Sequence, residues 1–178
     1  MTSQFIIRQL KSSEDPFFAE FRRIYSESFP LYERRNDVQQ VAVLSNPGNV
    51  CDLYFIGNQL LGFISYWKTA EFIFVEHLAI SSEFQGKGSG SAILKPFIEI
   101  QTVPVILEIE PPADEKTHRR LRFYESLGFV TNPYIHFQPP YHVGDNPLPL
   151  IILTYPYQID NDLYNRFSHF QKKCMSLL

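Results

Sequence analysis

The spacing of apolar side chains along the chain predicts five helices and six strands. The predicted helices cover residues 17–29, 38–44, 88–100, 115–127 and about 160–176. The predicted strands cover residues 5–10, 50–56, 60–67, 72–80, 103–110 and 148–155. Several boundaries carry a local signal: Pro30 follows the first helix, and Gly128 follows the fourth.

The order of these elements predicts the fold class. Gly57 and Asn58 separate two strand-length apolar runs, and this pair is typical of a hairpin turn. A third strand follows at once, and later strands are joined through helices. The sequence therefore predicts an α/β (α+β) protein with a mixed, mostly antiparallel sheet of about six to seven strands. We expect a parallel pair in its middle and helices on both of its faces.

The last third of the chain contains a proline-rich segment and a final helix. Residues 132–146 are expected to be irregular, and such long connections are more often functional than idle. The strand after them is expected to return to the sheet edge. Asp160 or Asn161 is a candidate cap for the final helix, whose apolar positions are Leu163, Phe167, Phe170 and Cys174. We expect this helix to pack on its own domain, within a single domain over residues 1–178.

Composition narrows the possible partners. Sixteen Lys and Arg against nineteen Asp and Glu give a formal charge of −3, unlike the basic surfaces that bind nucleic acid. No apolar run is long enough to cross a membrane, and no leader pattern is visible, so we expect a soluble cytoplasmic protein, either monomer or homodimer. Cys51 and Cys174 fit neither a zinc site nor a disulfide framework, and we expect both to be reduced, with no metal bound.

Three glycines follow the predicted strand 72–80 in the stretch EFQGKGSGSAIL. Gly86, Gly88 and Gly90 fit a tight strand-to-helix turn, which is the plainest interpretation. A dinucleotide fingerprint needs Gly-x-Gly-x-x-Gly, and a phosphate-binding P-loop needs four residues between its first Gly and a Gly-Lys-Ser or Gly-Lys-Thr end; the stretch matches neither. A helix start with bare backbone amides does attract phosphate oxygens.

With Gln85 included, the motif reads Gln-x-x-Gly-x-Gly and resembles the turn of the GNAT acyltransferase superfamily. The segment RFYESLGF, residues 122–129, resembles the helix that follows in that family, and the resemblance covers about residues 50–130. It implies acetyl-CoA as co-substrate and transfer of the acetyl group to a primary amine of a small molecule or peptide in a ternary complex. It also implies a cofactor site formed by Leu78, Ala79, Ile80, Gln85, Gly86, Lys87, Gly88, Ser89 and Gly90.

Two residues are candidates for the chemistry. Tyr124 matches the family tyrosine that protonates the leaving thiolate, although a core aromatic residue is the alternative. Glu76 is the candidate base, because a carboxylate in an apolar strand needs a partner or a task. A salt-bridged structural carboxylate is the alternative. The period of two in the strand places His77 on the opposite face, where it is a second candidate base or a core imidazole.

Acceptor-binding candidates lie in three segments: Glu33, Arg34, Arg35, Glu108, Glu110, Tyr134, His136, Tyr141 and His142. Many GNAT relatives have an Asn before the catalytic tyrosine, and here Thr117 and Arg120 stand at the nearest positions. Pro96 lies inside the predicted third helix, where we expect a kink near residues 92–95. The alternative to an enzyme is a catalytically inactive CoA-binding or protein-interaction module with the same fold.

Overall fold

The computed structural model describes residues 5–175, which contain five α-helices and eight β-strands. The helices are α1 (Phe18–Ser28), α2 (Asp37–Leu44), α3 (Ser89–Glu99), α4 (Glu115–Ser126) and α5 (Asn161–Met175). The strands are β1 (Ile6–Gln9), β2 (Asn49–Ile56), β3 (Gln59–Lys68), β4 (Ile73–Ile80), β5 (Val105–Ile109), β6 (Val130–Thr131), β7 (His136–Gln138) and β8 (Leu148–Tyr155). The predicted mixed fold class is confirmed, with β6 and β7 as additional short strands.

The chain divides into two compact units. The first contains residues 5–68 and Val75–Glu99, and the second contains Thr69–Phe74 and the residues from Ile100 onward. Strand β4 therefore begins in the second unit and ends in the first.

The first unit is an antiparallel meander of β1, β2, β3 and the later part of β4. Phe63 of β3 contacts Phe21 of α1, with ring centroids 4.8 Å apart, and both side chains are fully buried. Tyr66 of the same strand contacts Phe97 of α3 at 4.9 Å. Residues three apart on a strand face opposite ways, so α1 and α3 cover the two faces of this sheet.

Gly62 of β3 lies where the strand passes very close to β4. A Cβ atom at this position would lie 2.3 Å from the carbonyl oxygen of Ala79, a distance that real Cβ atoms do not adopt. We therefore expect Gly62→Ala to lower the free energy of unfolding by about 1–3 kcal/mol, the usual cost of overpacking. Urea denaturation measures this change, and Gln59→Ala at the exposed start of the strand is the control. Equal stability of the two variants would contradict the close approach.

In the second unit, β5 pairs in parallel with the start of β4, at Ile73 and Phe74. On its other side β5 pairs with β8 in antiparallel fashion, and β8 in turn pairs with β6 and β7. The expectation that β8 forms the sheet edge is therefore wrong. It failed because β6 and β7 are only two and three residues long, too short for a pattern of apolar positions to show.

Helix α5 packs within the second unit, as predicted. Phe167 is fully buried, with its ring 5.1 Å from Phe74 and 5.8 Å from Phe72. Asp160 caps the helix by accepting a hydrogen bond from the amide of Leu163 at 2.8 Å. Helix α3 continues through Pro96 to Glu99. Among the described helices, none combines the length and the apolar character needed to span a bilayer.

Candidate functional site

The turn between β4 and α3 presents a run of backbone amides. Gly86 and Gly88 have φ angles of 74° and 77°, in the left-handed region that glycine adopts without strain. The amide of Phe84 donates to Ser81, and that of Ala92 donates to Gly88. Between them, the amides of residues 86–90 donate to no acceptor among the described residues. Alternating left-handed residues of this kind form a concave nest for anions.

Side chains of the same turn satisfy the neighbouring carbonyl groups. Gln85 donates through Nε2 to the carbonyl oxygen of Ile80 at 2.9 Å, and Lys87 donates through Nζ to that of Glu83 at 2.9 Å. Ser89 donates through Oγ to the carbonyl oxygen of Phe84 at 2.9 Å. These three bonds tie the side chains of the turn to carbonyl oxygens of the same segment. They do not occupy the amides of residues 86–90.

The end of β4 offers a second set of main-chain groups. Ser81 donates its amide to Leu61 of β3 at 2.9 Å, so by alternation the main-chain groups of Ala79 also face β3. Those of Leu78 and Ile80 face the other edge of β4, where the first unit has no strand. The carbonyl oxygen of Ile80 accepts from Gln85, and the amides of Leu78 and Ile80 face the same edge.

Glu76 is part of a buried ion pair. Its side chain is 1% exposed and that of Arg35 is 2% exposed. Arg35 donates through Nη1 to one carboxylate oxygen at 2.5 Å, and the indole nitrogen of Trp67 donates to the other at 2.7 Å. The structure thus places Glu76 in the arrangement that the sequence left as the alternative, a salt-bridged carboxylate. A guanidinium partner of this kind favours the ionised form of the Glu76 carboxylate.

His77, like Glu76, contacts the segment that connects α1 to α2. Its Nε2 lies 2.9 Å from the carbonyl oxygen of Glu33, and since a carbonyl only accepts, this nitrogen carries the proton. The hydroxyl of Tyr25 accepts the amide of Arg35 at 2.9 Å. Burial, and then the carboxylate of Glu76, raise the pKa of Tyr25, so its hydroxyl stays protonated. Glu76 and His77, expected on opposite faces of β4, therefore both bind residues 33–35.

Tyr124 lies on α4 in the second unit. Its ring contacts Phe123 and Phe129 edge-on, with centroids 5.0 and 5.6 Å away. Burial raises the pKa of Tyr124 to about 12, and Arg120 opposes this shift. The phenol donates to no acceptor in residues 5–175, which leaves its proton available to another molecule.

Glu108, predicted to select a cationic substrate, is instead enclosed by side chains of the second unit. Gln138 and Gln171 donate to its carboxylate at 2.7 and 2.6 Å, and His136 Nε2 also contacts it. His136 in turn contacts the hydroxyl of Tyr164. The Glu108 side chain is 4% exposed, so this arrangement supports a structural role rather than the predicted one.

The other predicted residues have mixed placements. Tyr141 is buried, and Arg34 donates through Nε to the carbonyl oxygen of Phe29 at 3.0 Å. Thr117 belongs to the capping box of α4 with Asp114, and Arg120 pairs with Glu110. Both positions nearest to the missing family Asn are therefore engaged. The acceptor-site roles of Tyr141, Arg34 and Glu33 stay predictions.

Sequence reasoning missed Trp67 and Tyr25. Both read as ordinary core aromatics, and both are buried. The only signal for a polar role was that each carries one hydrogen-bonding atom, which a buried aromatic usually pairs.

Comparison with known proteins identifies a family that the centre of the chain matches. Residues 49–131 match the acetyltransferase (GNAT) domain family. The chain is also 29% identical, over 106 residues, to YjbC of Bacillus subtilis, a protein assigned as an acetyltransferase. This match covers 58% of the chain and 53% of YjbC, so the chain spans about half the length of that relative.

Solved structures extend the similarity to nearly the whole chain. A Bacteroides thetaiotaomicron protein assigned to the GNAT acetyltransferases matches with a TM-score of 0.85 and 28% identity, over 93% of this chain and 94% of that one. A GNAT acetyltransferase from Elizabethkingia anophelis with acetyl-CoA bound matches with a TM-score of 0.56 and 15% identity, over 84% and 96%. At that identity the second match concerns the fold alone.

Proposed function

We propose that this chain is a GNAT acetyltransferase that transfers an acetyl group from acetyl-CoA to a primary amine of a small molecule or peptide, because residues 49–131 match the GNAT domain family and the fold matches a GNAT protein over 93% of the chain. The unpaired amides of residues 86–90 are the observation that carries this proposal. They would bind the diphosphate of the cofactor, because aligned donors at a helix start suit phosphate oxygens.

The edge of β4 that faces away from β3 is proposed to bind the pantetheine arm. The amides of Leu78 and Ile80 face that edge, and one of them would donate to the thioester oxygen. Such a donor stabilises the negative charge that develops on this oxygen when the amine attacks. Ala79, whose main-chain groups face β3, would contribute only its side chain. Lys87 would add positive charge beside the phosphates.

Tyr124 is proposed to donate a hydrogen bond to the departing thiolate. The pKa of about 12 lies well above the pKa of about 8.5 of a free thiol, so complete proton transfer from the phenol is unfavourable. A hydrogen bond to the sulfur still stabilises its negative charge as the carbon–sulfur bond breaks. The proposed role rests on the family motif and on the unpaired phenol.

Glu76 is proposed to hold Arg35 in place rather than to act as the base. Protonating a carboxylate that already accepts from a guanidinium and an indole N–H would weaken both bonds. The same observation favours the second candidate function, a CoA-binding module without turnover. The two candidates share the phosphate site and differ only in catalysis.

An assay of free-thiol release with acetyl-CoA and a panel of amines and peptides tests the enzyme directly. Calorimetric titration with CoA is run in parallel. Binding together with acceptor-dependent thiol release supports the transferase, and binding without release from any acceptor supports the inactive module. Absence of CoA binding contradicts both.

We expect Tyr124→Phe to lower kcat by about 100-fold, the low end of the usual contribution of a general acid, and to leave the Kd for CoA within about twofold. The phenyl ring keeps the contacts with Phe123 and Phe129, so the fold is retained. Tyr157→Phe removes an exposed phenol of the same unit and is the matched control. An unchanged kcat in Tyr124→Phe would remove this residue from the mechanism.

The raised pKa of Tyr124 also predicts a pH profile. The acid form is the hydrogen-bond donor, and raising its pKa to about 12 keeps that form populated until the pH approaches 12. We therefore expect kcat to show no alkaline decrease between about pH 8 and 10, the range in which an unperturbed tyrosine begins to ionise. A decrease there that is absent from Tyr124→Phe would contradict this assignment.

A further inference from the structure

A cleft of about 280 Å³ lies between α1 and residues 34–40, which include the first turn of α2. It belongs entirely to the first unit and is separate from the turn at residues 86–90. Its lining residues from α1 are Ala19, Arg22, Arg23, Tyr25 and Ser26, and those from the following segment are Arg34, Asp37 and Gln40. None of these residues takes part in the proposed transfer chemistry.

The cleft is positively charged. Three guanidinium groups line it, against the single carboxylate of Asp37, which pairs with Arg22. Arg23 pairs with Glu27, which does not line the cleft, at 3.1 Å. The lining residues therefore carry a net charge of about +2 at neutral pH, on a chain whose total charge is −3.

A neutral amide lies at the same place. Gln40 is 4% exposed and is one of the residues that line the cleft. Its side-chain amide can donate a hydrogen bond to a bound group without adding charge to the cleft.

We propose that this cleft binds the carboxylate or phosphate group of a small anionic ligand. The planar guanidinium fork matches the two oxygens of a carboxylate or phosphate. Arg22 and Arg23 supply this fork from α1, and Arg34 supplies it from the opposite wall. The side-chain NH₂ of Gln40 donates one further hydrogen bond, from an uncharged group, to an oxygen of the anion. A volume of about 280 Å³ accommodates such a group with a few attached atoms.

Titration with inorganic phosphate and with succinate, followed by amide NMR, tests the site without any turnover. We expect saturable shifts of the Gln40 side-chain NH₂ signals, with a Kd on the order of 1 mM, as suits one or two charge-assisted hydrogen bonds. This signal separates the cleft from the turn at residues 86–90, where phosphate is also expected to bind. No saturation of the Gln40 signals by either anion up to about 20 mM would overturn the proposal.

Variants separate a specific site from general attraction of anions. Arg22→Gln is expected to weaken binding by about fivefold or more, from the loss of one charge-assisted hydrogen bond. Arg8→Gln is the matched control, since Arg8 also pairs with an aspartate and its side chain is 46% exposed, as is that of Arg22. Equal weakening by the two variants would overturn the proposal.

Gln40→Leu tests the neutral donor. It removes the amide donor and keeps nearly the same volume, so we expect the variant to remain folded. Binding of succinate, now followed by the backbone amides of α2, should weaken by about fivefold or more. Unchanged succinate affinity in a folded Gln40→Leu protein would contradict the role of the amide. If this variant does not fold, Arg23→Gln replaces it, with the same expected loss.

The anionic group has two possible sources, and kinetics distinguishes them. If it belongs to the acceptor, succinate should raise the KM of an amine that carries a carboxylate, and Arg22→Gln should raise the same KM. If it belongs to a separate ligand, succinate should leave that KM unchanged while still shifting the Gln40 signals. Both results require the cleft to bind the anion, and the NMR titration establishes this even if no amine is acetylated.

Discussion

Replacing Gly88 with valine is expected to weaken CoA binding by at least about 100-fold, equivalent to two lost hydrogen bonds from amides to charged oxygens. At φ 77° a valine is strained, and its branched side chain would occupy the space in front of the neighbouring amides. A Cβ atom at Gly88 meets no other atom within 4 Å, so the side chain itself does not disturb the core. Calorimetric titration with CoA measures the loss.

Gly57→Val provides the matched control for this prediction. Gly57 also has a positive φ, 58°, and open space around its Cβ, but it forms the β2–β3 hairpin turn. The two variants therefore carry similar backbone strain in the same unit. Gly57→Val should keep the wild-type Kd for CoA. If Gly88→Val is folded and binds CoA as tightly as Gly57→Val does, the diphosphate site has been placed wrongly.

Arg35→Met is expected to destabilise the protein by about 3–5 kcal/mol, because it leaves the carboxylate of Glu76 buried without its cationic partner. Both side chains are 2% exposed or less, so water cannot replace the guanidinium. Urea unfolding of the purified protein measures this change. Arg166→Met is the control: Arg166 pairs with Glu71 at 2.9 Å, but both are 51% exposed, and such pairs contribute at most about 1 kcal/mol.

A second substitution shows whether the buried charge is the cause. Arg35→Met combined with Glu76→Gln removes both charges and leaves an acceptor for Trp67. We expect the double variant to recover at least about 2 kcal/mol relative to Arg35→Met alone. A double variant no more stable than Arg35→Met would mean that lost packing, not the unpaired carboxylate, dominates. The single variant Glu76→Gln should retain most of the wild-type kcat. A large loss of kcat in this variant would mean that Glu76 acts as the base.

Features encoded by neighbouring residues were predictable from the sequence. The hairpin at Gly57-Asn58, the turn at residues 86–90 and the final helix each depend on a few adjacent side chains, and all three formed as expected. The turn could be predicted because its backbone has positive φ angles at Gly86 and Gly88, which favour glycine at these positions. The short connections between the early strands also predicted their antiparallel arrangement, and the helical connections predicted the parallel pair of β4 and β5.

Features that depend on distant residues were not predictable. Arg35 and Glu76 are 41 positions apart, so no periodicity in the chain joins them. Glu108 and Gln171 are 63 positions apart, and for this reason Glu108 looked free to bind a substrate. Strand β8 was expected at an edge because its partners β6 and β7 are too short to produce a pattern. A buried carboxylate always implies a partner, but only the tertiary structure identifies that partner.

The amides of residues 86–90 are proposed to bind the diphosphate of CoA. Amide NMR during titration with CoA, and separately with pantetheine, isolates this contact, because pantetheine lacks the diphosphate. We expect saturable downfield shifts of the Gly86, Gly88 and Gly90 amide protons with CoA, and none with pantetheine. Binding of CoA that leaves these three signals in place, or equal shifts with pantetheine, would contradict it.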